Sequence, residues 1–232
     1  MLNIEQFRSG DNLAYLIFKE KEAIAIDGVA WQEIISFLEE NNLKLSIVAN
    51  THQHFDHTAG NARLSNATGA KTLTFADLAD NKIIRLAGEE ITVYRTPGHT
   101  DDSVCFHSNN ALISGDTLFN GTIGNCFSGN LKSFYLSIKR LMALPDETII
   151  FAGHDYVRDS LAFARHLEPD NLDIDKFWGL YNPDCVYSTM SDEKKINPYF
   201  RFNEKPIMKL LQKMNLPHAT EWERWQSLMS IE

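Results

Sequence analysis

The chain has 232 residues, 44% of them hydrophobic and 23% charged, with a net charge of -9 at pH 7. That balance belongs to a globular protein of one large domain, or of a domain with an appendage, and it disfavours nucleic acid as a general partner. No apolar run approaches a membrane span, and the N-terminus lacks the basic and apolar blocks of a signal peptide. Cys105, Cys126 and Cys185 are odd in number and form no Cys-x-x-Cys pair. This argues against a disulfide framework or a thiolate zinc site and points to a reducing cytoplasm.

Residues 1 to 27 read as short strands, among them 13–18 and 23–26 on either side of the charged turn 19–22. Asp27-Gly28 closes this region. Residues 31 to 42 follow helical spacing, with Ile34, Ile35, Phe37 and Leu38 on one side. Residues 45 to 50 are apolar and β-branched, a short buried strand. It runs into Thr51-His52-Gln53-His54-Phe55-Asp56-His57-Thr58-Ala59-Gly60, which holds three of the chain's eight histidines. Imidazole and carboxylate together suit zinc, iron and similar ions. In an extended segment His52 and His54 point the same way, so one ion can take both. Asp56 and His57 follow where the chain turns and can face a neighbouring position.

A short helix is expected over 59–67, a strand over 71–74 and a loop over 77–82. The β-rich run 90–95 ends at Thr96-Pro97-Gly98-His99-Thr100, where Pro and Gly bend the chain before a histidine. Two strands, 103–107 and 111–114, are joined by a turn, and the second delivers Gly115-Asp116. His107 reads as an ordinary strand residue. Residues 131 to 143 are an amphipathic helix closed by Pro145, and the buried strand 148–152 ends in Gly153-His154. Beyond 191 the chain offers helical stretches, with Trp222, Trp225 and Leu228 spaced as a packing stripe.

His-x-His-x-Asp-His after a strand, followed by His99, Asp116 and His154 at later strand ends, resembles the signature of the metallo-β-lactamase superfamily. The resemblance implies an α/β fold, a four-layer αβ/βα sandwich. It also implies two divalent metal ions, Zn, Fe or Mn, at one edge of the sheets. His52, His54 and His99 would hold one ion and Asp56, His57 and His154 the other, with Asp116 bridging. In the family an Asp at the place of Asp27 supports the metal loop; a plain turn residue is the alternative.

Three further stretches, 115–119, 153–171 and 196–205, resemble glyoxalase II, the hydroxyacylglutathione hydrolases. The implied organisation is a metal hydrolase domain over 1–165 and a helical C-terminal substrate-binding region over 166–232. The implied reaction is hydrolysis of S-D-lactoylglutathione to D-lactate and glutathione by a metal-bridging hydroxide, with Asp56 orienting it. Tyr156, Arg201 and Lys205 match residues that touch glutathione. Asn125 and Phe127 fall in the loop 124–129, where that family has a Gly-basic-x-aromatic-x-Gly pattern; Asn125 replaces the basic residue, and Phe127 lacks a Tyr hydroxyl. Two other readings stay open: a hydrolase for another thiol's thioester, and a mononuclear-iron persulfide dioxygenase of the same fold. The expected partner is a small thioester, with no nucleic acid and no membrane, for a monomer or homodimer.

Overall fold

The computed structural model describes residues 1–231. The first sheet runs in the order β1-β2-β3-β4-β5, formed by Asn3–Ser9, Asn12–Lys19, Glu22–Ile26, Lys44–Ala49 and Lys71–Thr72. Trp31–Glu40 (α1), Phe55–Thr58 (α2) and Asn61–Thr68 (α3) lie between its later strands. Strand β2 is buried over six consecutive residues, as expected of a central strand covered on both faces. Its alternate side chains divide accordingly. Leu13, Tyr15 and Ile17 join the core between the sheets, while Ala14 and Leu16 pack with Ile34 and Leu38 of α1 and Leu64 of α3.

The second sheet has the order β11-β10-β9-β8-β7-β6. Its members are Ile83–Leu86 (β6), Glu89–Arg95 (β7), Val104–Ser108 (β8), Ala111–Gly115 (β9), Ile149–Ala152 (β10) and Ser188–Thr189 (β11). Its outer face is covered by Leu131–Met142 (α4) and by the C-terminal helices Lys205–Lys213 (α8) and Glu221–Met229 (α9), through Phe134, Ile138, Leu211 and Trp225. Val157–Leu167 (α5), Leu172–Leu180 (α6) and Met190–Ile196 (α7) complete the chain. The layers are helix, sheet, sheet, helix. Trp225 and Leu228 are fully buried, so the C-terminal stripe is core.

Strands β6 and β11 were not expected, β11 having only two residues and pairing with β10 through Ile149 and Ile150. The boundary drawn after residue 165 falls inside α5, which continues to Leu167. At one edge the two sheets are joined directly. Leu13 N donates to Gly153 O at 2.8 Å, Asp155 N to Asp11 O at 2.9 Å, and Val104 N to Thr51 O at 2.7 Å. This edge is where β4, β9 and β10 all end.

Candidate metal centre

The end of β4 releases Asn50, Thr51 and His52 into a turn that α2 closes, which places His54, Asp56 and His57 within eight residues of the strand. The loop after β7 brings His99, and the ends of β9 and β10 bring Asp116 and His154. All seven candidate donors converge. His52, His54, His99 and Asp116 form one group and Asp56, His57 and His154 a second, each with its donor atoms within 4.8 Å of one another.

A tetrahedral ion with bonds of 2.0–2.1 Å sets its donors about 3.3 Å apart. In the first group, His54 Nδ1 lies 2.9 Å from His52 Nε2 and 3.1 Å from His99 Nε2. In the second, His57 Nε2 lies 3.2 Å from His154 Nε2, which is 3.4 Å from Asp56 Oδ2. Asp116 Oδ2 stands 3.5 Å from His99 Nε2 and 3.4 Å from His154 Nε2, between the groups. Asp116 Oδ1 is buried without a hydrogen-bond partner. The donor set and its spacing fit metal ions.

The surrounding hydrogen bonds orient the rings for this purpose. His57 Nδ1 donates to Asp27 Oδ2 at 3.0 Å and His99 Nδ1 to Asn125 O at 2.9 Å. Thr51 Oγ1 donates to Asp27 Oδ2 at 2.7 Å, which leaves its lone pairs for His52 Nδ1 at 3.1 Å. With each Nδ1 carrying the proton, the three Nε2 lone pairs point inward, ready for a cation. Asp27 is wholly buried and also accepts from Thr51 N at 2.8 Å. It therefore supports the metal loop, and with φ at 58° it makes the turn as well.

The electrostatics agree. Burial pushes the His57 imidazole down, but the Asp27 and Asp116 carboxylates outweigh it and raise it to about 10. Positive charge is stabilised at that buried point. His52 is lowered to about 4 by its burial and by His57 beside it. Burial raises Asp116, yet hydrogen bonds and charge from His154 and His57 hold it far below the usual carboxylate range. Close packing leaves no slack: a Cβ on Gly153 would stand 2.1 Å from Asp116 Oδ1 and 2.9 Å from His57 Cε1.

The rim is aromatic. Phe127, 67% exposed, sets its ring edge against His54 and His99 at 5.7 and 5.2 Å. Tyr156 stacks on His154 at 4.8 Å, and Phe119 touches both. Burial raises the Tyr156 hydroxyl to about 12, with help from the carboxylates of Asp11, Asp116 and Asp56. A cavity of about 570 Å³ opens here, lined by Phe119, Thr122, Ile123, Asn125, Tyr156 and Phe163 among others.

Arg201 and Lys205 are not part of this group. The Arg201 guanidinium is held by Glu168, with Nε to Oε2 at 2.7 Å and Nη2 to Oε1 at 2.9 Å. It borders a different cavity, between α5, α6 and α8, and Lys205 opens α8 beside Pro206 of that cavity. Neither side chain stands against the metal group in the structure, and a carboxylate 33 residues upstream pairs with Arg201. Cys126 is half-buried, its Sγ 3.5 Å from Ser128 Oγ, and packs against the second core as a wall residue. Asn12 escaped sequence reading, having no motif around it; its Nδ2 donates to Asp56 Oδ2 at 3.1 Å.

The metallo-beta-lactamase superfamily model matches residues 9–86 and 74–154, and the hydroxyacylglutathione hydrolase C-terminus model matches 155–230. A hydroxyacylglutathione hydrolase of Hydrogenovibrio crunogenus is 34% identical over 87% of this chain and 82% of its own length. The chain belongs to the hydroxyacylglutathione hydrolase family. Hydroxyacylglutathione hydrolase 1 of Vibrio vulnificus is likewise 34% identical, over 84% of each chain. Among solved structures, ETHE1 from Myxococcus xanthus superposes with a TM-score of 0.69 at 25% identity, covering 97% of this chain and 99% of its own. The BLEG-1 B3 metallo-beta-lactamase, at 21% identity and a TM-score of 0.66 over 85% of this chain and 99% of its own, shares the fold. The match to the C-terminal family begins at 155, at the entry to α5 and eleven residues before the region expected from sequence to begin at 166.

Proposed function

We propose that the chain is a metal-dependent thioester hydrolase that converts S-D-lactoylglutathione to D-lactate and glutathione, a reaction of the class its relatives' name, hydroxyacylglutathione hydrolase, describes. The observation that carries this reading is the pair of donor groups joined by Asp116, in a chain matched along nearly its whole length by hydroxyacylglutathione hydrolases. His52, His54 and His99 would hold one divalent ion and Asp56, His57 and His154 a second, with Asp116 shared. When bound, such ions lower the pKa of water towards neutrality and polarise a carbonyl oxygen, whether they are Zn, Fe or Mn.

The chain's own residues supply the rest. Asp56 has half its side chain exposed, is oriented by Asn12, and has its carboxyl held below the usual range by that hydrogen bond despite partial burial. It is ionised at neutral pH and orients the attacking water from the open side. Tyr156 keeps its proton at neutral pH and so donates to a substrate carbonyl or amide. Phe127 and Phe119 flank the centre and exclude water from the reacting carbonyl. The leaving thiolate is a weak base, so the absence of a strong general acid among these residues is no obstacle. Three free cysteines support a cytoplasmic setting.

Metal analysis of the purified protein paired with a hydrolysis assay on S-D-lactoylglutathione tests the reading. Near two ions per chain with turnover, lost in His54→Ala, is the expected result. One iron per chain, oxygen uptake with glutathione persulfide and no hydrolysis would overturn it in favour of a persulfide dioxygenase.

A further inference from the structure

Beyond β9 the chain doubles back over 116–125 before it reaches α4. Leu118 and Ile123 pair across this hairpin, and Phe119 N donates to Thr122 O at 3.0 Å. Every residue from 116 to 124 is buried, and Leu118 and Ile123 join the second core. Both ends of the hairpin meet the metal centre. One is Asp116, which stands between the donor groups. The other is Asn125, whose carbonyl accepts from His99 Nδ1 at 2.9 Å. The two ends also touch each other: a Cβ on Gly124 would run into Asp116 O and stand 3.0 Å from His99 Nδ1. A shift of the hairpin is therefore a shift of Asp116 and His99 together.

The tip of the hairpin is held by the C-terminal region. Glu193 of α7 is wholly buried, and its Oε1 and Oε2 accept from Gly121 N at 3.0 and 3.1 Å. Asn197, four residues on, donates through Nδ2 to Glu193 Oε2 at 2.7 Å and to Thr122 O at 3.0 Å. Asn120 Nδ2 donates to Ser188 Oγ of β11 at 2.7 Å, and the Ser188 hydroxyl is bonded to Glu193 in turn. Three consecutive residues of the tip are thus each fastened to 188–197. Gly121 has φ of 95°, and a Cβ there would press on Ser160 and Leu161 of α5 at 3.3 and 3.4 Å. A desolvated carboxylate is a poor way to stabilise a fold, since apolar side chains of similar volume often serve as well or better. Its geometry calls for a use other than stability.

We infer that Glu193 is a positioning residue for the metal centre: through Gly121 it fixes the hairpin 116–125, and the hairpin fixes Asp116 and the His99 ring. A carboxylate suits the task because Gly121 N stands within 3.1 Å of both oxygens, and each of them can only accept. The same hairpin carries Phe119, Ile123 and Asn125 into the wall of the neighbouring cavity. The inference rests on the metal centre of the proposed function and is independent of which thioester is the substrate.

The experiment titrates the metal-free protein with Co(II) at about pH 8, above the value of about 7 to which burial raises Glu193. The visible spectrum reports coordination geometry, and competition with a chelator reports affinity. Glu193→Gln keeps the volume, but either orientation of its amide turns an NH2 towards Gly121 N. The expected result is an altered spectrum and Co(II) bound about three- to tenfold more weakly, less than the loss from removing a direct partner of a ligand. Ser188→Ala deletes one bond to Glu193 and one to Asn120, and moves both readouts the same way by a smaller step. Arg201→Leu loses stability away from the hairpin and leaves spectrum and affinity as in wild type, so weakened folding alone is not the cause. Glu193→Gln binding Co(II) within about twofold of wild type, with an unaltered spectrum, would overturn the inference. So would an equal change in Arg201→Leu. Should Glu193→Gln not fold, Ser188→Ala decides: wild-type spectrum and affinity there would overturn it too. Cobalt bound as expected without hydrolysis of S-D-lactoylglutathione would sink the thioesterase reading and leave this one standing.

Discussion

Replacing Arg201 by Leu separates a structural role from a substrate-binding one. Glu168 is 3% exposed, and among the described residues Arg201 is its one charged partner, through two hydrogen bonds. Removing the guanidinium leaves a buried carboxylate uncompensated, which costs about 3–5 kcal/mol. In a chain of 232 residues the entropy of unfolding converts this to a fall in Tm of about 6–10 °C. Differential scanning calorimetry of wild type, Arg201→Leu and the double variant Arg201→Leu/Glu168→Leu measures it. The double variant should recover most of the loss, since two apolar side chains of similar reach replace a buried pair. KM for the thioester should stay within about twofold in both variants, because Arg201 borders the other cavity. An unchanged Tm together with a tenfold rise in KM would refute the placement and return Arg201 to the substrate.

Gly153→Ala forces a Cβ to 2.1 Å from Asp116 Oδ1, so metal content and hydrolysis should both fall by more than about tenfold while circular dichroism stays native. Asp27→Asn keeps the shape but removes the acceptor that fixes the His57 and Thr51 orientation; metal affinity, read by competition with a chelator, should drop about 10–100-fold. Glu193 is wholly buried, with burial raising its carboxyl to about 7 against hydrogen bonds from Ser188, Asn197 and Gly121 N. The unfolded chain ionises this group first, so its contribution to stability is full below pH 4.5 and is lost as pH rises to about 7, by roughly 3 kcal/mol. Glu193→Gln should flatten the pH dependence of chemical denaturation in that window; an unaltered profile would show that the carboxylate is not the cause.

The seven donors were legible because each stands at the end of a strand, where β-branched runs stop at Pro, Gly or a polar cluster. Asp27 was legible only as a pair of alternatives, turn or support. The structure shows that they are one thing, because the left-handed backbone of the turn is what aims the carboxylate under the loop. The ion pair of Arg201 was not legible, for the opposite reason. A charge in a helical tail reads as solvent-facing or substrate-facing, and nothing in the neighbouring residues announces a buried Glu168 on another element. Asn12 acts through its side-chain amide at a position where Asn is ordinary, so no periodicity or spacing could mark it. The short strands β6 and β11 depend on partners already in place, β11 pairing over two residues alone.

The donors are spread from His52 to His154, and the sheet edge that gathers them is sewn by bonds such as Leu13 N to Gly153 O. A polypeptide leaving the ribosome therefore holds an unfinished centre until His154 has been made. An ion captured earlier by the His52–His57 turn meets only one side of its cage, exchanges readily, and is not committed. Commitment comes when β10 docks beside β9, and the same strand end leads directly into the helix that lines the cavity beside the centre. Metal retention and cavity formation are thus timed together by chain order, so a truncated product lacking β10 keeps neither.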